Sequence, residues 1–170
     1  GMTLLPSIKQ GLSAPTDLID LSCIDDFKNL TTDEFTLSIG SLVNHNQIAN
    51  SDLVKSKLPG LASLASGIAD NAVRNKGTLG GSICNADPAA DYPSALLALD
   101  ATIITNCRKI KARDFFVDMF ETILNEGEIV TEVTFPLVNY SSYEKFSSQA
   151  SKYAIVGVFF SVVSQKVNIA

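Results

Sequence analysis

The chain has no tryptophan, a single histidine, two methionines and three cysteines among 170 residues. Each scarcity removes a class of function. Cys23, Cys84 and Cys107 are odd in number and lack C-x-x-C spacing, so neither a zinc nor an iron–sulfur ligand set can be assembled. Unpaired thiols suit a reducing compartment, and a cytoplasmic location is expected. Lysine and arginine total 13 against 18 acidic residues, giving a net charge of −5 and a pI near 4.8. Scattered cations on an acidic chain leave little counterion release to drive nucleic-acid binding, which is excluded as a partner. The longest apolar run, Tyr153 to Val163, is too short to cross a bilayer and reads as a buried strand, so an integral membrane protein is not expected. No signal peptide is visible at the N-terminus. G-x-G-x-x-G and G-x-x-x-x-G-K-[ST] are both missing, against Rossmann and P-loop nucleotide sites.

What is present is a globular balance, 46% hydrophobic and 18% charged, enough for one domain with its own core. Strands are expected at Leu18–Leu21, Phe35–Gly40, Thr102–Thr105, Ile110, Glu128–Phe135, Tyr143–Phe146, Ala154–Val163 and Lys166–Ile169. The last of these ends without a turn, and an edge strand of that kind usually has a neighbour. Asn44 with Gln47 forms a capping box, and Ser51 caps a second turn. A helix follows Pro59, another runs from Tyr92 to Leu99 with Pro93 in its first turn, and Asp114 reads as the N-cap for FFVDMFET. Phe27–Asp33 reads as turns. Strands and helices neither alternate nor segregate, and the class is α+β.

Chemistry concentrates in VRNKGTLGGSICNADPAADYPSALLALD, Val73 to Asp100. Thr78-Leu79-Gly80-Gly81-Ser82 offers backbone N–H groups unobstructed by side chains, flanked by two hydroxyls, as a phosphate demands. Gly80-Gly81 also reads as a tight turn between packed elements. Asp91 would repel phosphate; it stands where an N-cap belongs. His45 reads as structural, Cys84, Met2 and Met119 as packing residues, and Arg74 and Lys76 as solvated charge or as a charge offset for phosphate. No nucleophile, triad or other catalytic group stands out.

With GMTLLPSIKQGLSAPTDLIDL, ARDFFVDMFETIL, GEIVTEVTFP and YEKF…SKYAIVGV, that stretch resembles, in order and along nearly the whole chain, the FAD-binding medium subunit of molybdenum hydroxylases, the carbon monoxide and xanthine dehydrogenase family. The resemblance implies a vanillyl-alcohol-oxidase type FAD fold across residues 1–170. Gly1, Met2, Thr3 and Leu4 then match the end of a first pyrophosphate loop, and Thr78, Leu79, Gly80, Gly81 and Ser82 a second. Asp91 matches an aspartate contacting FAD, Lys145 a lysine of the same site, Tyr153 an aromatic near the flavin ring, and Ile129 a strand passing close to the cofactor. It further implies iron–sulfur and molybdopterin partner subunits, with electrons passing through FAD to NAD or another acceptor. The family extends upstream by a strand, helix and strand and downstream by a further domain, so weaker FAD affinity is expected of these residues alone. The rival expectation is a cofactor-free assembly module. A stand-alone flavin reductase would need a substrate-protonating residue and a substrate domain, and neither is seen.

Overall fold

A computed structural model describes residues 2–163 and 165–170. Among the described residues eight α-helices run in chain order: α1 (Leu4–Lys9), α2 (His45–Asn50), α3 (Asp52–Lys57), α4 (Pro59–Ser66), α5 (Asn71–Arg74), α6 (Leu79–Asn85), α7 (Tyr92–Ala98) and α8 (Ala112–Phe115). The strands are β1 (Leu30–Thr32), β2 (Thr36–Gly40), β3 (Thr102–Thr105), β4 (Lys109–Lys111), β5 (Phe116–Asp118), β6 (Glu121–Thr122), β7 (Val130–Pro136), β8 (Tyr140–Ser147), β9 (Ala154–Val163) and β10 (Lys166–Ile169). They form a five-stranded sheet in the order β1-β2-β7-β3-β4, a three-stranded sheet β10-β9-β8 and the small hairpin β5-β6. Every pairing between these strands is antiparallel. A helical layer meets the larger sheet through α6 and the smaller one through α4 and α7. The α+β class holds.

Period-two alternation builds the larger sheet. Ile39 pairs with Val133, Val133 with Ile103, and Ile103 with Ile110, so one buried β-branched row crosses four strands. Local signals start the helices. Asn44 and Gln47 form a complete capping box before α2, and the Ser51 hydroxyl accepts from the Val54 amide at the start of α3. Pro59 and Pro93 sit in first turns, where a missing N–H leaves no bond unmade.

Missing side chains let the layers meet. A Cβ at Gly60 in α4 would stand 2.8 Å from the Ser142 amide nitrogen of β8, while the Gly60 amide donates to Ser141 Oγ at 3.1 Å. A Cβ at Gly80 would stand 2.6 Å from that of Ser41. At the other end of the layer, the buried Ser161 hydroxyl of β9 donates to the Ala98 carbonyl of α7 at 2.7 Å. A polar pair is sealed inside: His45 Nδ1 lies 3.1 Å from the Tyr92 hydroxyl, joining α2 to α7. Burial, reinforced by the nearby Arg74 charge, lowers the His45 pKa to about 4. The structural reading of His45 is borne out.

Several expectations are corrected. Leu18–Leu21 is not a strand; Leu18 and Ile19 are exposed, and Asp20 instead accepts from the Ser22 amide in a local turn. Phe27–Asp33 contains β1 as well as turns, because Leu30–Thr32 pairs with β2. Asp114 is no N-cap: it lies within α8, and FFVDMFET becomes mostly the β5-β6 hairpin. There the Phe120 amide is captured by the Ala86 carbonyl, and Phe120 turns the chain at φ +58°. β9 is not buried, since Ile155, Val156 and Val158 are exposed and only Phe159 and Ser161 are sealed in. Met2, Met119 and Cys84 are exposed rather than packed. Arg74 is not a solvated charge, for its guanidinium donates to the carbonyls of Ile68 and Ala69.

Two outcomes are expected in urea denaturation. Gly60→Ala loses about 1–3 kcal/mol through backbone overlap with β8, whereas Gly67→Ala, whose Cβ would meet nothing closer than 3.5 Å, is neutral or slightly stabilising. His45 sets a pH dependence. The unfolded chain takes up a proton near its ordinary pKa of 6.5, the native chain only near 4, so the unfolded state binds more protons in that window and stability falls as pH drops through it. Between about pH 7 and pH 5 the loss is on the order of 2 kcal/mol, and His45→Gln flattens it.

Candidate functional site

The glycine stretch does not stand as a loop. Thr78 is the N-cap of α6, its hydroxyl accepts from the Gly81 amide at 3.1 Å, and Gly80-Gly81 form the first helical turn rather than a turn between elements. The amides of Leu79 and Gly80 donate to the carbonyls of Val43 and Ser41, and that of Ser82 to Thr78. The N–H groups of residues 79–82 are therefore all taken up within the fold. What remains open is the face of the exposed Gly81, where a Cβ would meet only Thr78 Oγ1, at 3.0 Å. Among the described residues the Thr78 hydroxyl accepts a bond but donates none.

From this turn a polar path leads to Asp91. The Gly77 carbonyl accepts from the His45 amide, the His45 ring reaches Tyr92, and Asp91 precedes Tyr92 at the head of α7. Asp91 occupies the N-cap position, yet its carboxylate makes no capping bond. It turns into the protein, accepting from the Tyr143 hydroxyl at 2.5 Å, with Lys145 Nζ 2.9 Å from Oδ1 and 3.2 Å from Oδ2. Lys145 also donates to the Gly67 carbonyl at 3.2 Å. Both members of the ion pair are more than nine-tenths buried, and burial together with the Asp91 carboxylate raises the Tyr143 pKa far above its usual range. Tyr143 thus stays protonated as a donor.

This cluster lies beside a groove of about 350 Å³, walled by Pro88–Ala90 and Leu97 on one side and Ala154–Gly157 on the other, with Tyr143 in its lining. Tyr153 is half-exposed at the adjoining end of β9, and its pKa is raised by burial first and then by Asp87 and Asp91. Asp91 and Lys145 are accordingly brought into contact, with Tyr153 near enough to feel the Asp91 charge. Ile129 stands elsewhere, just before β7, where its amide donates to Asn106 Oδ1 and its carbonyl accepts from the Asn106 amide. Its neighbour Glu128 is pinned by Arg108, which with the Asn125 amide lowers the carboxyl to about 2. Two residues beyond Ile129, the Thr131 carbonyl accepts from the amide of Ser41, the residue packed on Gly80. Met2, Thr3 and Leu4 are exposed at the start of α1, and the Thr3 carbonyl accepts from the Ser7 amide and hydroxyl. Gly1 lies outside the described residues. Tyr143 was missed by sequence reasoning; its one sequence signal is the Tyr-x-Lys spacing that puts it on the same strand face as Lys145.

The residues present fit a flavin dinucleotide. An apolar groove with the Tyr143 side chain in its lining and the Asp91–Lys145 pair behind it suits a planar ring system carrying polar atoms, and an uncovered glycine face with a free hydroxyl proton suits a phosphate. Among the described residues no group of histidine, cysteine or acidic side chains could hold a metal ion. Among them too, no helix is long and apolar enough to cross a membrane.

Comparison with known proteins points the same way. The glyceraldehyde dehydrogenase medium chain of Sulfolobus acidocaldarius is 38% identical over 168 residues, covering 95% of this chain and 60% of that one. The carbon monoxide dehydrogenase medium chain of Hydrogenophaga pseudoflava is 32% identical, covering 92% and 57%. A solved carbon monoxide dehydrogenase from H. pseudoflava, lacking the Mo-pyranopterin moiety of its cofactor, superposes with a TM-score of 0.95 at 30% identity, over 100% of this chain and 63% of that chain. The chain thus spans about 60% of the length of these relatives. Since residues 1–138 match the model of the FAD binding domain in molybdopterin dehydrogenase, the chain belongs to that family.

Proposed function

We propose that the chain is the flavin-carrying part of a molybdenum hydroxylase, receiving electrons from an iron–sulfur partner subunit fed by a molybdopterin subunit and passing them to NAD or another acceptor. The observation that carries this is the buried Asp91–Lys145 pair beside an apolar groove, next to Tyr153 and joined through Tyr92 and His45 to the glycine turn. Medium chains of glyceraldehyde and carbon monoxide dehydrogenases are the relatives in support. Bound FAD would supply the capacity to exchange electrons singly or in pairs. The protein's part is to hold and orient. Gly81 and the Thr78 and Ser82 hydroxyls face the pyrophosphate, Leu79 and Gly80 set the turn against Ser41, and Asp91, Lys145 and Tyr153 order the ring end. Ile129 would border the cofactor from the residue just before β7, and Gly1, Met2, Thr3 and Leu4 would belong to the other pyrophosphate loop. Residues 1–170 are read as lying within one FAD-binding domain. Three free cysteines support a reducing, cytoplasmic setting.

The rival, a cofactor-free assembly module, has one observation in its favour: the amides of residues 79–82 are satisfied without a ligand. Flavin titration separates the two. The chain is expected to quench FAD fluorescence and shift its visible absorbance, with Gly81→Val weakening the affinity about tenfold or more by closing the open face of the turn. Circular dichroism establishes that the variant is folded. Absence of quenching, or a Gly81→Val variant that binds as well as the parent, favours the module.

A further inference from the structure

Asp91 is an N-cap residue that does not cap. Its backbone sits at φ −78° and ψ −41°, and the only side-chain bond across the first turn of α7 runs from the Ser94 hydroxyl to the Asp91 carbonyl. An aspartate kept for local stability at this position would bond the free amides of the helix start. Here the carboxylate is withdrawn from them and held by two side chains of β8.

The strand pattern shows how. Tyr143 and Lys145 share the inner face of β8, opposite Phe159 and Gly157 of β9. Further along β9 that inner face belongs to the core, through Phe159 and Ser161. At Gly157 it leaves the core, and Ile155, two residues on, is exposed in the groove wall. Tyr143 stands at this boundary. Its ring tilts against Phe159, with centroids 6.2 Å apart. Its hydroxyl occupies the space that a Cβ at Gly157 would need, and from there it reaches Asp91. A tyrosine serving only as core filler would require neither the gap at Gly157 nor the carboxylate.

We infer that Tyr143 is a positioning residue of the flavin site: its hydroxyl, lying across Gly157, fixes the Asp91 carboxylate beside Lys145 in the one orientation that meets the ligand. The inference rests on the flavin reading above. Oδ1 accepts from Tyr143, with the Lys145 ammonium 2.9 Å away, while Oδ2 accepts from Lys145 alone at 3.2 Å. A carboxylate oxygen accepts about two bonds, so Oδ2 has room for one further donor. The ligand class it selects is a hydroxyl or ring N–H, and Tyr143 makes that acceptor preordered.

The test is a double-mutant cycle on FAD affinity, read by fluorescence quenching, with thermal melts alongside. Tyr143→Phe is expected to weaken FAD about tenfold, the value of one well-made hydrogen bond to a charged group. Gly157→Ala breaks the same contact from the other strand and should give a loss of similar size, which keeps the bond testable should Tyr143→Phe not fold. In an Asp91→Asn background both effects should largely vanish. A purely structural tyrosine would lower the melting temperature in either background and leave the affinity alone. If the parent chain binds FAD and Tyr143→Phe and Gly157→Ala bind it equally well, or if their losses persist undiminished with Asp91→Asn, the positioning role is overturned while the flavin reading stands. If the parent binds no FAD, both fall.

Discussion

The carboxylate of Asp91 is the joint on which the two halves of the molecule hang. It belongs to the helical layer, its partners Tyr143 and Lys145 belong to the three-stranded sheet, and the contact is almost fully buried. Desolvating a carboxylate and an ammonium costs several kcal/mol, recovered only when geometry is good and the remaining hydrogen-bonding capacity is used. Here it largely is: Lys145 also donates to Gly67, and Asp91 also accepts from Tyr143. Such a pair adds little net stability against an apolar replacement, but losing one partner would strand the other at a cost of about 3–5 kcal/mol. The joint therefore enforces arrangement more than it stabilises. It gives α7 and β8 one mutual position behind the groove that Tyr143 lines.

Around that joint the layers close through absent side chains. Gly60 on β8, Gly80 on Ser41 and Gly157 beneath Tyr143 each leave a gap that a neighbour fills. At none of the three is a left-handed backbone the reason, since the positive-φ glycines are Gly11 and Gly127. Glycine is used here for proximity. That distinction separates the adjacent Gly80 and Gly81, which look equivalent in sequence. Gly80 is buried and lets the turn seat on the large sheet, and Gly81 is exposed and keeps one face of the turn clear.

Features encoded within a few residues were legible. The Asn44–Gln47 box, the Ser51 cap, the prolines of α4 and α7 and the alternation of β7 all rest on neighbours in the chain. Features decided by distant partners were not. Asp91 reads as a cap because capping is local, while the groups that claim it lie 52 and 54 residues away. FFVDMFET reads as helical because Asp114 looks like its cap, but Phe120 is diverted by the Ala86 carbonyl. β9 reads as buried from its composition, and no sequence rule tells which stretch of an apolar strand the core will cover. At the site, the grouping of Asp91, Lys145 and Tyr153 came from family resemblance, whereas Tyr143 needed the register of β8 against β9 to be seen at all.

The buried His45–Tyr92 pair ties the two parts of the site to each other. The His45 amide holds the Gly77 carbonyl at the entrance of the glycine turn, and a Cβ at Gly77 would lie 2.5 Å from His45 Nε2. The Tyr92 hydroxyl then fixes the other side of the ring, one residue from Asp91. Both ends of this bridge are sealed from water, and a buried polar pair tolerates little change in spacing before its bond is lost and the desolvation penalty is left uncompensated. The separation between the glycine turn and the Asp91 carboxylate is consequently set by the core, not by surface loops. A ligand that bridges the two meets a span fixed before it arrives, which is the condition under which binding energy goes into contacts rather than into ordering the protein.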